Sequence, residues 1–257
     1  MIRFWNGNKS PTRQQHELDV LLALRPTLQA YWPMVEDTTP YPNAKDEGAV
    51  FEKGADLLTT VAGNQKFAPG QFLEVSHALC GGILGCRVLV VRAADTTHFA
   101  DVTETQLKAM IAGIPATWAD ADLLRHNGYR VLEKGSLDEM FLLLQEGLCD
   151  FIPLGINEAK SLLDASPNAS DKLTVEPSIM IYYPLPVVFY LAPQHSELKE
   201  IIEMSLNELE QQGKLQSLYN KHYAQSVQQM APQARRVFEL FNPNLGHAWQ
   251  AFQPRYL

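Results

Sequence analysis

Apolar residues along the chain fall into two rhythms that alternate: short continuous runs, and positions spaced three and four apart. The runs at residues 2–5, 34–36, 56–61, 86–92, 111–114, 129–132, 150–153 and 187–191 are predicted strands. Two of them hold unbroken stretches of large apolar residues, Val88-Leu89-Val90-Val91 and Val187–Leu191. That is the pattern of a strand buried on both faces. The spaced segments between them are predicted helices. Ser10 followed by Pro11 is a cap with proline in the first helical position, after which Leu18, Leu21, Leu22 and Arg25 share one face until Pro26. A short helix over 45–53 ends at Gly54, and another spans 103–110. Thr117 is read as the cap of a helix over 118–127 that Gly128 closes. Ser136 and Glu139 form a capping box, and the helix behind it turns Leu137, Met140, Phe141 and Leu144 inward before Gly147. Ser196 caps a helix with Leu198, Ile201, Ile202 and Leu209 on one face, ended by Gly213. Leu215, Leu218, Tyr219 and Tyr223 belong to the next helix, and a last helical stretch covers 232–241. The segment 67–84 is loop-rich, and no internal repeat is present. The fold class is α/β.

Composition narrows the partners. At 257 residues the chain makes one large domain or two small ones. A net charge of −8 argues against nucleic acid and against adsorption to anionic lipid. The longest apolar runs, 187–192 and 140–144, are too short to span a bilayer, so no membrane insertion is expected. Three cysteines are too few for a disulfide framework and lack metal-site spacing. Cys80 and Cys86 are read either as free thiols or as one bridge. The start, Ile2-Arg3-Phe4-Trp5, reads as a strand and shows no charged, apolar and cleavage regions of a leader. The chain is then either cytoplasmic or the mature part of an exported protein.

Several segments, taken in order, resemble a known family. A strand ending in Phe189-Tyr190-Leu191-Ala192-Pro193 is followed by a long helix over 197–212, then Gly213, then a short helix with Tyr219 and Tyr223 near its end. Residues 128–150 give a strand, a capped helix and Gly147-Leu148-Cys149-Asp150, and Gly54-Ala55-Asp56 leads an earlier strand. This order resembles the bacterial family 3 (polar amino acid type) periplasmic solute-binding proteins over residues 2–224. A narrower similarity, to a proteobacterial branch of them, rests on Gly82-Ile83-Leu84-Gly85-Cys86-Arg87-Val88, on Trp118-Ala119-Asp120, and on residues 151–158. The chain departs from that branch at Cys86 and Leu154. The resemblance implies a two-lobed type II periplasmic-binding-protein-like fold, each lobe a mixed sheet flanked by helices. Lobe 1 would be residues 1–92 and 185–225, with the tail 226–257 packing on it through Val237, Phe238, Leu240 and Phe241. Lobe 2 would be residues 93–184. The ligand would close between the lobes by a hinge.

Candidate ligand-binding residues follow from that architecture. Trp5 lies where the family places a ring against its ligand, or is an ordinary core tryptophan. Asn64 and Lys66 sit on a loop at the C-terminal edge of a sheet, where α/β proteins bind ligands, although loop polarity alone also accounts for them. Arg87 is either an anion-binding guanidinium or half of a strand-edge ion pair. Thr117 and Trp118 open a helix whose N-terminus favours anions, with Asp120 as a competing partner for the dipole. Glu158 is either an ammonium acceptor or a carboxylate favoured by a helix start. The family's Thr-x-x-Arg and its second-lobe Asp are not evident: residues 66–85 lack Arg, and the expected Asp position reads Pro153-Leu154-Gly155.

Catalytic signals are weak. The seven histidines are scattered, and neither His-Glu-x-x-His nor Gly-x-Ser-x-Gly occurs. The expectation is therefore a periplasmic, monomeric binding protein without cofactor or metal. It would take a small polar or amino-acid-like solute and work with a membrane permease or a sensor protein. A cleft enzyme of the hydrolase or dehydratase type and a ligand-sensing module are the rival readings.

Overall fold

The two uninterrupted apolar runs become inner strands of two different sheets. The computed structural model describes residues 1–167, 169 and 172–256. The strands are β1 (Ile2–Trp5), β2 (Met34–Asp37), β3 (Leu57–Val61), β4 (Leu73–Glu74), β5 (Cys86–Arg92) and β6 (Ile111–Ile114). They continue as β7 (Arg130–Glu133), β8 (Ile152–Gly155), β9 (Leu173–Tyr182), β10 (Val187–Leu191) and β11 (Arg236–Glu239). The helices are α1 (Pro11–Ala23), α2 (Ala44–Gly48), α3 (Thr96–Phe99), α4 (Glu104–Ala109), α5 (Asp120–His126) and α6 (Leu137–Gln145). After them come α7 (Ala159–Ala165), α8 (Ser196–Gln211), α9 (Lys214–Tyr219), α10 (Gln225–Gln229) and α11 (His247–Gln250). The chain divides into two compact units. One is Met1–Gly82 with Leu185–His222 and Tyr256; the other is Ile83–Pro184 with Tyr223–Arg255.

The first unit is built on the sheet β2-β1-β3-β10-β4. Strands β2, β1 and β3 are parallel, whereas β10 runs antiparallel to β3 and β4. Every residue of β10 is buried, as its unbroken apolar run requires. Helix α1 starts as the sequence predicts, with Pro11 first and Ser10 Oγ accepting from the Arg13 amide at 3.4 Å. It buries Val20 and Leu21, and also His16 and Glu17. Helix α8 buries Leu198, Ile202, Leu206 and Leu209, and Gly213 turns the chain into α9 at φ +70°, a conformation glycine adopts without strain. Beyond α9, His222 packs edge-on to the His16 ring at 5.6 Å, and its Nε2 lies 2.8 Å from Asp19 Oδ2.

The second unit carries the sheet β11-β9-β5-β8 and the parallel pair β6-β7. Ala112 of β6 bridges Phe151, just before β8, so the pair continues the larger sheet. The predicted capping box at Ser136 and Glu139 is formed, and α6 buries Met140, Phe141 and Leu144. Strand β9 is the longest and has no counterpart in the sequence reading, because Glu176-Pro177-Ser178 breaks its apolar pattern. That break is a register irregularity against β5, between Val88 and Val90. Glu176 is fully buried there and accepts from the amides of Ser178 at 2.7 Å and Ile179 at 2.8 Å. The buried Arg235 guanidinium donates to the carbonyls of Glu176, Ile179 and Met230.

Two expectations about organisation need correction. Strand β5 belongs to the second unit, since its hydrogen-bonding partners β8 and β9 both lie there. The tail also belongs to the second unit, not the first. The stretch expected to be helical is a short 3₁₀ turn at Pro232–Ala234 followed by β11, which pairs in parallel with β9. The free edge of β9 offers backbone partners that a helix would leave unsatisfied, and Val237 and Phe238 are good strand formers. Leu240 is buried as expected, but Val237 and Phe241 are about half exposed, at 44% and 52%.

Arg235→Met removes three hydrogen bonds from a charged donor and leaves buried carbonyls unpaired. Urea unfolding should show a loss of about 3 kcal/mol, and an unchanged midpoint would refute this role. Burial pushes His16 down from 6.5 to about 4. Between those values the unfolded chain binds a proton that the folded chain does not, so stability is complete above about 6.5 and declines as pH falls toward about 4. The loss is about 3 kcal/mol. His16→Gln should flatten this decline in unfolding curves taken from pH 7 to pH 4.

Candidate functional site

In the first unit the polar candidates gather where the parallel strands β1 and β3 end. Trp5, the last residue of β1, is buried, and its indole Nε1 donates to the Thr39 carbonyl at 2.9 Å. Only glycine fits at position 7, because a methyl there would lie 2.5 Å from that carbonyl and 2.8 Å from Nε1. The Trp5 ring lies 5.8 Å from Tyr41. Asn64 donates to Thr60 Oγ1 at 2.8 Å and accepts the Lys66 amide at 3.0 Å, so the loop after β3 is held by its own side chain. Lys66 Nζ pairs with Glu47 Oε2 at 2.9 Å, and Asn8 donates to the same oxygen at 2.8 Å and to the Tyr41 carbonyl at 2.7 Å. Trp5, Asn64 and Lys66 are therefore joined through Asn8, Tyr41 and Glu47.

A second polar group beside them was missed by the sequence reading. Lys9 Nζ lies 2.6 Å from Glu17 Oε2, donates to Asn6 Oδ1 at 3.0 Å and also donates to the Thr59 hydroxyl. Arg13 adds a contact to Glu17 at 3.1 Å. Burial works against ionisation of Glu17, but Lys9 and Arg13 outweigh it and bring the carboxyl down to about 2. The available signal was the polar turn Asn6-Gly7-Asn8-Lys9 between a strand and a capped helix, the place where α/β sheets bind ligands.

In the second unit Arg87 is the second residue of β5 and is 3% exposed. Its Nη2 lies 2.7 Å from Asp120 Oδ1 and its Nε donates to the Tyr183 hydroxyl at 2.9 Å. That hydroxyl in turn donates to Asp120. Burial disfavours the guanidinium charge, yet Asp120, Tyr183 and Glu158 overcome it and raise its affinity for the proton. Arg87 is half of an ion pair, as one of its two readings has it, but the pair is buried rather than at a strand edge. Glu158, 7% exposed, immediately precedes α7 at its N-cap position without a side-chain hydrogen bond to the first turn, so it stands at the helix start that one of its two readings names.

Thr117 needs a similar correction. It does not cap α5, which begins at Asp120 behind Ala119. At φ +71° Thr117 stands outside the helix, and its amide donates to Glu133 Oε1 at 3.1 Å. An anion would have to displace that carboxylate. Trp118 is half-buried, and its own amide donates to the Pro115 carbonyl at 3.3 Å. Arg87 and Glu158 are thus electrostatically linked, whereas Thr117 belongs to a separate contact with Glu133. Cys80, Cys86 and Cys149 are buried free thiols. Among the described residues no three His, Cys, Asp or Glu side chains are placed to hold a metal ion, and no helix is long and apolar enough to cross a membrane.

Solved structures share this arrangement of strands and helices. An arginine 3rd transport system periplasmic binding protein from Legionella pneumophila aligns with a TM-score of 0.61 at 14% identity, over 86% of this chain and 99% of its own. The BvgS VFT2 domain of Bordetella pertussis aligns at 0.61 and 17% identity, over 86% of this chain and 92% of its own. The GluR0 ligand-binding core of Nostoc punctiforme, solved with L-glutamate, aligns at 0.55 and 17% identity, over 86% and 99%. The chain has the type II periplasmic-binding-protein fold. No protein-family model matches the sequence, and no curated protein matches it. Identities this low carry the fold and nothing finer.

Within that fold the Arg87–Asp120 pair is the main buried ion pair of the second unit's candidate site. Asp120→Asn or Arg87→Met alone leaves one buried charge uncompensated and should cost about 3–5 kcal/mol. The double variant should cost less than the sum of the two. Strictly additive losses in urea unfolding would contradict the coupling.

Proposed function

We propose that the protein is a solute-binding protein of an ABC-type uptake system, of the family 3 type and its proteobacterial branch, acting in the periplasm. It takes a small polar or amino-acid-like solute by hinge closure and presents it to a membrane permease. The observation that carries this reading is the likeness of fold across 86% of the chain to a periplasmic binding protein of an arginine transport system and to a ligand-binding core. Polar groups at the strand ends support it. The first unit supplies Trp5, Asn64 and Lys66, with Lys9 beside them, and the second supplies Arg87 and Glu158. Trp118, half-buried ahead of α5, adds an aromatic wall, and Thr117 takes part only through exchange of its Glu133 contact. The reading needs no covalent chemistry and no cofactor, in keeping with neighbours that are binding proteins rather than enzymes.

A second reading is favoured by one neighbour. The BvgS domain makes a ligand-sensing module, with a sensor protein as partner, the alternative. Both readings require a solute. A thermal-shift screen of amino acids, organic acids, polyamines and small peptides should raise Tm by several degrees for at least one compound held well above its Kd. A screen without a single shift contradicts both, and turnover of the compound that binds would replace them with the enzyme reading.

A further inference from the structure

The connection from α1 to β2 carries a groove that the candidate site does not use. Leu22, Arg25, Pro26, Gln29 and Trp32 line a volume of about 530 Å³, within the range that small ligands occupy. It lies at the other end of the first unit's sheet. β1 and β2 run in parallel with Ile2 beside Met34, so the residues leading into β2 stand where these strands start. Trp5 closes β1, and Asn64 and Lys66 follow the end of β3, which is parallel to β1.

The walls of the groove are held by the protein itself. Leu24 and Leu28, between the lining residues in sequence, are buried. The Leu28 amide donates to the Leu24 carbonyl at 3.1 Å, and the Trp32 amide donates to the Gln29 carbonyl at 3.2 Å. The Thr27 hydroxyl donates to the Leu24 carbonyl at 2.9 Å and accepts from Ser205 of α8 at 2.8 Å, which fastens the turn to that helix.

The lining combines apolar surface with an uncompensated cation. Leu22 shares the predicted inward face of Leu18 and Leu21, yet it is 43% exposed, and the Trp32 ring is half-buried. Arg25 Cζ lies 5.2 Å from the centre of that ring, a cation–π contact that keeps the guanidinium over the groove's aromatic wall. Among the described residues the Arg25 guanidinium takes part in no ion pair and no hydrogen bond, although acidic residues outnumber basic ones by 29 to 21. Arg3, Lys9, Arg13, Lys66 and Arg87 each have a carboxylate.

We infer that this groove is a second binding site, for a small carboxylic acid that carries an apolar or aromatic body. The carboxylate takes paired N–H donors of Arg25, the arrangement in which a guanidinium binds it best. The body lies against Leu22, Pro26 and the Trp32 ring, and the Gln29 side-chain amide meets a polar group beside the carboxylate. A neutral amide of the same shape keeps the apolar contact and loses the charge-assisted pair. The site does not depend on the solute-binding reading, because none of its lining residues belongs to the strand-end groups.

N-acetyl-L-phenylalanine tests it, since it has the carboxylate and the ring but no ammonium group. An NMR titration follows the indole N–H of Trp32, assigned by its loss in Trp32→Phe. That signal should move saturably with a Kd of about 1 mM or tighter. N-acetyl-L-phenylalaninamide should bind at least fivefold more weakly. Arg25→Gln should weaken the acid at least fivefold while leaving the amide's affinity and Tm unchanged. Leu22→Glu, at an exposed position, sets a carboxylate in the groove and should weaken the acid by at least as much. A Trp32 signal that stays still, equal affinity for acid and amide, or full binding of the acid by either variant overturns the inference.

Discussion

The buried pair of Arg87 and Asp120 is the contact on which the second unit's candidate site depends. It ties the first residues of β5 to the first residue of α5, and Tyr183, one residue past β9, closes the triangle with both. A charge removed from water in this way is tolerable only with a partner and with its remaining hydrogen bonds satisfied. The guanidinium consequently has one orientation, held beside the end of β8, where Arg87 pairs with Gly155 in the strand register. In the first unit Glu17 plays the comparable part, drawing Lys9, Arg13 and Thr59 together under the ends of β1 and β3.

Much of the fold was readable because local signals and tertiary burial agree. The runs at β5 and β10, the Ser10-Pro11 start of α1 and the Ser136–Glu139 box each specify their element through a single local cause. The errors occur where long-range pairing overrides that cause. β11 lies in the stretch 232–241 that is expected to be helical, and it is a strand because the edge of β9 pairs with it. β9 itself was invisible, since a glutamate followed by proline argues against a strand unless a register irregularity and Arg235 accommodate both.

The site was less legible for a related reason. Residue type and position place Lys66, Arg87 and Glu158 near strand ends, but only coordinates show which charges already have partners. The Arg87 guanidinium carries Asp120, and Thr117 stands at positive φ with its amide on Glu133 and does not cap α5. Asn157 enters the sequence reading only within residues 151–158, and that its Oδ1 is buried and unpaired is a property of the fold.

The central claim is that solute binding draws the two units together, and a distance measured between them tests it most directly. Met204 in the first unit and Leu148 in the second are exposed, and the native cysteines are buried, so Met204→Cys and Leu148→Cys accept spin labels selectively. Double electron–electron resonance with and without a solute identified by thermal shift should give a shifted and narrower distance distribution when the solute is bound. Identical distributions in both states, with the solute demonstrably bound, would contradict the account.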